Sequence, residues 1–164
     1  MPELKSEAIA LGRDARLRAI LRDICETTHM GFAAVARVTE QRWIACLVED
    51  RIEFGLDPGD ELKISETICD EIRDSGEAVV IDDTSNDIKW SRHPVPVIYG
   101  FKSYCSFPVY LEDGTFFGTL CAIDPEPRHV DDQAIIAMFS NYAKTVGAIL
   151  SQAILQSASE PTSS

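Results

Sequence analysis

One stretch, residues 103–124, constrains the fold of this 164-residue chain more than any other. It reads SYCSFPVYLEDGTFFGTLCAID, in which two runs of β-branched and aromatic residues flank the pair Asp113-Gly114. An Asp-Gly pair between two such runs predicts a β-hairpin with a two-residue turn. Glu112 then lies opposite Thr115, and the alternation of side chains along a strand assigns each residue to one of two faces.

The two predicted faces of this hairpin differ in chemistry. The first face is apolar and suits packing against helices. It carries Cys105, Phe107, Val109, Leu111, Phe116, Gly118, Leu120 and Ala122. The second face mixes aromatic rings with hydroxyls and a thiol, which is the mixture that a small-molecule pocket needs. It carries Tyr104, Ser106, Pro108, Tyr110, Thr115, Phe117, Thr119 and Cys121.

The same register decides whether the two hairpin cysteines meet. With a two-residue turn, Cys105 and Cys121 face opposite ways and do not pair. A three-residue loop with a bulge at Gly114 is the alternative, and it would place the two thiols directly opposite each other. We favour the first register because the second destroys the apolar face. The five cysteines of the chain form no C-x-x-C pair and have no histidine at ligand spacing, so neither a disulfide framework nor a metal site is expected.

Helical patterns lie at both ends of the chain. A helix is predicted within residues 1–30, where apolar residues recur at spacings of three and four before Gly31. A longer helix is predicted over residues 131–157, with Asp131 as its N-cap. Between them the order is three strands, a short helix, a strand, an irregular loop and the hairpin. Strands joined mainly by hairpins, with helices at both ends, favour an α+β domain with an antiparallel sheet.

The predicted C-terminal helix has two apolar stripes. The stronger stripe is expected to pack on the sheet, and it contains Ile135, Met138, Phe139, Tyr142, Val146, Ile149 and Ala153. The weaker stripe is a candidate dimer surface. It contains Ile136, Ala143 and Leu150.

Composition and charge limit the classes of function. With 45% hydrophobic and 26% charged residues, residues 1–157 are expected to form one globular domain, followed by a disordered polar tail over 158–164. A net charge of −12 disfavours binding to nucleic acids and to anionic membranes. No apolar run approaches the ~18 residues of a membrane span and no signal peptide follows Met1, so a cytoplasmic protein is expected.

Three stretches, in their order along the chain, resemble the GAF family of sensory domains found in histidine kinases, diguanylate cyclases and phytochrome-like proteins. They are GEAVVIDDTSNDIKW after a short helix, YGFKSYCSFPVYLEDGTFFGTLCAID as the final hairpin, and the closing amphipathic helix. The resemblance runs from about Leu17 to Ile154. It implies a central six-stranded antiparallel sheet, with the terminal helices on one face and a ligand cavity beneath a short helix and a loop on the other.

The resemblance also implies how such a domain passes on a signal. The terminal helices would pair between two chains as a homodimer and would carry the signal to an output domain or kinase partner outside this sequence. The ligands implied by the family are cyclic nucleotides, tetrapyrroles or other small molecules.

Candidate ligand-binding residues come first from the irregular loop NDIKWSRHPVPVIYGF. The loop would form a lid over the pocket, in which Trp90, Tyr99 and Phe101 stack on a planar ligand. Packing as a small core beneath the loop is the other interpretation of these rings. His93 is either a contact to haem or another tetrapyrrole, or a surface histidine.

Further candidates flank the loop. Asp82 and Asp83 follow a buried strand, where they either accept hydrogen bonds from a ligand or cap the irregular segment. The hairpin contributes the polar residues of its second face. These are Tyr104, Ser106, Thr119 and Cys121.

These residues favour a non-enzymatic sensory domain that binds a small molecule without a covalent bond. A covalently bound bilin is not expected, since no cysteine lies beside His93. A free methionine sulfoxide reductase is an alternative, because Cys69 falls near one cysteine position of that branch. The second cysteine of that branch, in the loop before the hairpin, is missing, and a thiol redox cycle needs a resolving partner. A dimerisation scaffold without a ligand is the remaining alternative.

Overall fold

The computed structural model describes residues 9–11, 13–39, 43–52, 55, 57–62, 76–83 and 102–159. Its elements are α1 (Ala15–Thr28), β1 (Phe32–Val38), β2 (Trp43–Asp50), β3 (Glu61–Leu62), β4 (Val79–Ile81), β5 (Ser103–Tyr110), β6 (Phe116–Asp124) and α2 (Gln133–Ser159). The predicted short helix before β4, the predicted lid over 86–101 and residues 160–164 of the predicted tail lie outside the described residues. Residues 158 and 159 of that tail are instead the end of α2.

The sheet confirms the predicted α+β class. Its strand order is β3-β2-β1-β6-β5-β4, and every neighbouring pair is antiparallel. Five strands of three to nine residues make up the body of the sheet. The outermost strand, β3, is only a two-residue pairing of Glu61 and Leu62 with β2.

The predicted N-terminal helix is interrupted at residues 13 and 14. Residues 9–11 are helical, but α1 starts afresh at Ala15, because the Asp14 side chain accepts a hydrogen bond from the Arg16 N–H at 2.8 Å and acts as its N-cap. The helix ends at Thr28, followed by His29 in the left-handed conformation at φ 64°. The stop therefore lies two residues before Gly31, the residue that the sequence pattern indicated.

The C-terminal helix is capped by Asp132, and the prediction of Asp131 as its cap was wrong. Asp132 Oδ1 accepts hydrogen bonds from the N–H groups of Ala134 at 2.8 Å and Ile135 at 3.4 Å, in the first turn of α2. Asp132 can reach these donors because it lies one residue nearer to the helix than Asp131 does.

The side of α2 that packs on the sheet also differs from the prediction. Phe139 is fully buried and stacks on Phe107 of β5, with ring centroids 5.1 Å apart. Ala143 and Leu150 are buried in the same core, so the predicted second stripe was wrong for these two residues. Since the helix is rolled towards the row of Phe139, Ala143, Val146 and Leu150, this row rather than Tyr142 faces the sheet.

Length and composition alone would allow one segment of α2, Gln133–Ile154, to cross a membrane. This qualifies the expectation that no apolar run comes near that length. Phe139, Val146 and Leu150 of this segment are fully buried within the core shared with the sheet. The segment therefore has the packing of a core helix.

Gly147 allows α2 to approach the end of β5 closely. A Cβ atom at this position would lie 2.2 Å from the Tyr110 carbonyl oxygen, which is backbone and has little freedom to move. One turn on, the Ser151 hydroxyl accepts a hydrogen bond from the Glu112 N–H at 2.9 Å. The helix is thus fixed to the tip of the hairpin at two points.

We predict that Gly147→Ala destabilises the protein. Replacing glycine by alanine inside a helix ordinarily stabilises it by about 0.5–1 kcal/mol. Here the added methyl group meets backbone, and such overpacking costs about 1–3 kcal/mol. Urea unfolding measures the change, with Asn141→Ala on the exposed side of α2 as the control. A rise in the free energy of unfolding of Gly147→Ala would contradict the close approach.

Tyr142 connects α2 to α1 instead of packing on the sheet. Its hydroxyl donates a hydrogen bond to Asp23 Oδ2. This hydrogen bond, together with partial burial and the charge of Asp23, raises the pKa of Tyr142 to about 12. The raised pKa means that the bond stabilises the fold fully below pH ~10, the pKa of a free tyrosine. The stabilisation is lost as the pH rises through about 12.

We therefore predict that Tyr142 ionises late in an alkaline titration followed by tyrosinate absorbance. The difference between the titrations of the wild type and Tyr142→Phe isolates this residue, and its midpoint is expected at about pH 12. Asp23→Asn removes the negative charge and should move the midpoint towards ~10. A wild-type midpoint already near 10 would exclude the bond in solution.

Candidate functional site

The β5–β6 hairpin has the predicted register along most of its length. Cys105 pairs with Ala122, and Ser106 pairs with Cys121. The two cysteines therefore face opposite ways, as predicted, and neither forms a disulfide. Cys105 lies in the core shared with the helices, whereas Cys121 belongs to a second cluster on the other face of the sheet.

Near its tip the hairpin departs from the predicted pairing. The predicted two-residue turn was wrong, because the Leu111 N–H donates to the Thr115 carbonyl oxygen at 2.8 Å and leaves a three-residue loop of Glu112, Asp113 and Gly114. Val109 pairs with Gly118, but Tyr110 pairs with Phe116, so Phe117 is an extra residue in β6 and forms a β-bulge. The bulge exchanges the predicted faces of the two phenylalanines. Phe116 packs against the second cluster, and Phe117 is buried in the helix-side core.

Arg37 holds the bulged residue in its place. Its guanidinium lies 4.9 Å from the centroid of the Phe117 ring, and its Nη1 donates a hydrogen bond to the Phe117 carbonyl oxygen at 2.9 Å. The sequence contains no local signal for this contact, because Arg37 is 80 positions away along the chain.

The sheet face away from the helices has a centre made of small residues. Ala34 and Ala36 of β1 and Ala45 of β2 are fully buried there, and Cys121 pairs with Ala34. Larger apolar side chains surround this centre. They are Phe32, Val38, Trp43, Ile81, Tyr104 and Ile123. The side chains at the centre of this face are therefore smaller than those around it.

Two hydroxyl groups lie on the same face and are fully buried. Ser106 belongs to β5, and Thr119 of β6 pairs with Ala36 on one side and Pro108 on the other. We call the surface formed by Ala34, Ala36, Ala45, Ser106, Thr119 and Cys121 the small-residue face. It combines an apolar centre with a few oriented polar groups, as ligand pockets do.

The structure thus brings together four of the sequence-predicted site residues. Tyr104 and Ser106 lie on β5 and Thr119 and Cys121 on β6, all directed away from the helices. The other candidates from the predicted lid lie outside the described residues, and their roles stay predictions. They are Trp90, His93, Tyr99 and Phe101.

Asp82 lies at the end of β4 with its carboxylate engaged by the chain itself. Oδ1 accepts hydrogen bonds from the N–H groups of Val130 and Asp131, both at 2.7 Å, and Oδ2 lies 3.3 Å from His129 Nδ1. The sequence predicted that Asp82 either binds a ligand or caps the irregular segment. It did not predict the contact with Val130, which lies 48 positions further along the chain. Asp83 is half-buried and also interacts within the structure.

A second carboxylate that sequence reasoning missed is Asp124, at the end of β6. It is 3% exposed and accepts hydrogen bonds from the N–H groups of Gly31 at 2.8 Å and Glu126 at 2.9 Å. Its Oδ2 also lies 3.3 Å from Arg128 Nε. These contacts compensate the burial of its charge and join the start of β1 to the segment that leads into α2.

Burial disfavours the thiolate form of two helix-side cysteines, Cys25 and Cys105. It raises the pKa of Cys25 to about 11 and raises the pKa of Cys105 further. Both are protonated near neutral pH, where the thiolate is the nucleophile. Cys69, on which the reductase alternative depends, lies outside the described residues. In the part of the chain that the structure describes, no three His, Cys, Asp or Glu side chains are grouped so that they could hold a metal ion.

Comparison with known proteins gives the same architecture. A family model described as GAF domain matches residues 12–147. The GAF domain of an Acinetobacter phosphoenolpyruvate-protein phosphotransferase has a TM-score of 0.69 at 11% identity, over 96% of this chain and 99% of that chain. The blue-light absorbing form of the Thermosynechococcus elongatus PixJ GAF domain has a TM-score of 0.70 at 15% identity, over 96% of this chain and 94% of that chain.

A type II free methionine-R-sulfoxide reductase from Thermoplasma acidophilum is also similar. Its TM-score is 0.64 at 13% identity, over 92% of this chain and 96% of that chain. Comparison with curated proteins found no match. At these identities, the similarity to solved structures establishes the fold alone.

Proposed function

The chain belongs to the GAF domain family, and from this premise we propose that it is a sensory domain that binds a small molecule non-covalently on the small-residue face. The observation that carries the proposal is the burial of Ser106 and Thr119 beside alanines in the middle of that face. Hydroxyls there can orient a ligand while the apolar surroundings bury its surface. Tyr104 and Cys121 border the same area.

The predicted lid residues complete the proposed pocket. We propose that Trp90, Tyr99 and Phe101 supply aromatic surface for a planar ligand and that His93 contacts its polar edge. A cyclic nucleotide or a tetrapyrrole fits this combination of stacking surface and hydroxyl groups. The ligand would then alter the packing of α1 and α2 by binding one of two arrangements more tightly. We place the domain in the cytoplasm, as one part of a signalling pathway.

Native mass spectrometry and absorption spectroscopy on the purified protein test for a bound ligand. Thermal unfolding with cyclic GMP, cyclic AMP, haem and biliverdin, added singly, tests for weak binding. A compound present at about 100 times its Kd should raise the melting temperature by roughly 5–10 °C. If no mass is retained and none of the four compounds changes the melting temperature, the ligand classes proposed here are wrong.

We predict that Thr119→Val weakens binding of the active compound by roughly fivefold, because a buried hydroxyl contributes about 1 kcal/mol through its hydrogen bond. Thr27→Val makes the same chemical change at an exposed position of α1, on the helix side of the sheet, and serves as the control. Equal affinities for the two variants would place the ligand elsewhere. Consumption of free methionine sulfoxide that Cys121→Ser abolishes would favour the reductase alternative.

We also propose that two copies pair through the outer groove between α1 and α2. The groove has a volume of about 390 Å³, and its lining is largely apolar. It is formed by Arg16, Ala19, Ile20, Tyr142, Thr145, Ala148, Ile149 and Gln152. This surface takes the place of the predicted second stripe, because Ala143 and Leu150 of that stripe are buried.

Sedimentation measures this pairing directly. Ala148→Glu puts a charge into the groove and is expected to convert a dimer into a monomer. Ala137→Glu adds the same charge at an exposed position of α2 outside the groove and should leave the dimer intact. A wild-type monomer at concentrations of tens of micromolar would contradict the proposed dimer.

A further inference from the structure

The segment between β6 and α2, residues 125–132, is held by carboxylates that belong to the sheet. Asp124 accepts from the Glu126 N–H, and the Ser103 hydroxyl donates to the Glu126 carbonyl oxygen at 2.8 Å. Further along, the backbone oxygen of Asp82 accepts from the Arg128 N–H at 3.1 Å. The position at which α2 begins is therefore set by β6 at one end of the segment and by β4 at the other.

The strongest of these contacts are made by the Asp82 side chain. One oxygen atom accepts two backbone N–H groups at 2.7 Å, from Val130 and Asp131. Hydrogen bonds to a charged acceptor are about twice as strong as those between neutral groups. Asp132, the N-cap of α2, follows immediately, so Asp82 holds the residues directly before the helix.

The same strand end reaches the small-residue face. Ile81 precedes Asp82, is 3% exposed, packs in the cluster of that face and pairs with Tyr104. β4 has three residues, and β5 is its partner in the described part of the sheet. The predicted lid begins at Asn86, three residues after Asp83. A short strand bonded in this way can shift more easily than the central strands.

We propose that Asp82 is the positioning residue through which ligand binding on the small-residue face acts on α2. A ligand that displaces Ile81 or Tyr104 moves the end of β4, and the Asp82 carboxylate moves Val130 and Asp131 with it. The proposal rests on the proposed function for the ligand, but the mechanical link between β4 and α2 exists without one. In this assignment Asp82 does not contact the ligand.

A ligand-free test is a double-mutant cycle that uses amide hydrogen exchange. Ile81→Val perturbs the small-residue face by one methyl group, and Asp82→Ala removes the link. The readout is the exchange rate of the Ile136 amide, which bonds to the Asp132 carbonyl oxygen at 2.8 Å. It is divided by the rate of the Arg18 amide, which bonds to the Asp14 carbonyl oxygen at the start of α1, so that changes common to the two helix starts cancel.

Ile81→Val is expected to raise this ratio by at least about twofold in the wild type and to leave it unchanged in Asp82→Ala. Asp132→Ala is the matched control. It also removes a carboxylate that caps the start of α2, but it leaves β4 bonded to Val130 and Asp131. Ile81→Val should therefore still raise the ratio in Asp132→Ala. An equal rise in Asp82→Ala and the wild type, or no rise in the wild type, overturns the proposal.

Asp82→Asn replaces Asp82→Ala if the alanine variant does not fold. The amide oxygen can accept the same two bonds without the charge, so a partial loss of the coupling is expected. A rise in the ratio as large as that in the wild type overturns the proposal here also.

A second experiment measures the same exchange rates with a ligand. It uses whichever of cyclic GMP, cyclic AMP, haem or biliverdin raises the melting temperature. In the wild type and Asp132→Ala, the compound should change exchange at Ile136. In Asp82→Ala, it should still bind, as measured by native mass spectrometry, without that change. If no compound binds to the wild type, the proposed function is contradicted but the coupling between β4 and α2 is not. The ligand-free double-mutant cycle then tests that coupling. Binding with an undiminished effect on Ile136 in Asp82→Ala overturns the link alone.

Discussion

The structure depends most on the pairing of β6 with two strands at once. Cys121 pairs with Ala34 of β1 on one side and with Ser106 of β5 on the other. A slip of one residue in either pairing would turn every side chain of a strand to the opposite face. Because both faces of the sheet are buried, the two pairings together determine which residues meet the helices and which form the small-residue face.

The two faces of the sheet use side chains of different size. On the helix side, rings such as Phe107, Phe117 and Phe139 fill the space between the sheet and α2. On the other side, alanines and buried hydroxyls occupy the centre. A close-packed core leaves no room for a ligand, whereas a face with small residues at its centre can accept one. This division agrees with the proposal that the helix side is a rigid support and that the small-residue face binds the ligand.

The long helix α2 is where these parts meet. Gly147 and Ser151 fix it to the hairpin tip, Tyr142 connects it to α1, and the residues before it are held by Asp82 and Asp124. Together these contacts join α2 to the hairpin tip, to α1 and to the ends of β4 and β6. A change at the end of β4 therefore has a direct covalent and hydrogen-bonded route to the start of this helix, and the α1–α2 groove lies on its outer side.

The amino-acid sequence alone determined the features that depend on neighbours along the chain. Alternation was enough to predict the α+β fold, the register over most of the hairpin and the opposite directions of Cys105 and Cys121. The two-residue turn was wrong, and the register survives because the extra residue Phe117 offsets the longer loop. The roll of α2, the bulge at Phe117 and the partner of Asp82 were decided only by tertiary structure. Each of these depends on a group far away in sequence: Phe107 and the sheet for α2, Arg37 for Phe117, and the N–H groups of Val130 and Asp131 for Asp82. A local pattern specifies which faces a segment has, but the energy of packing and hydrogen bonding between distant segments selects how those faces are used.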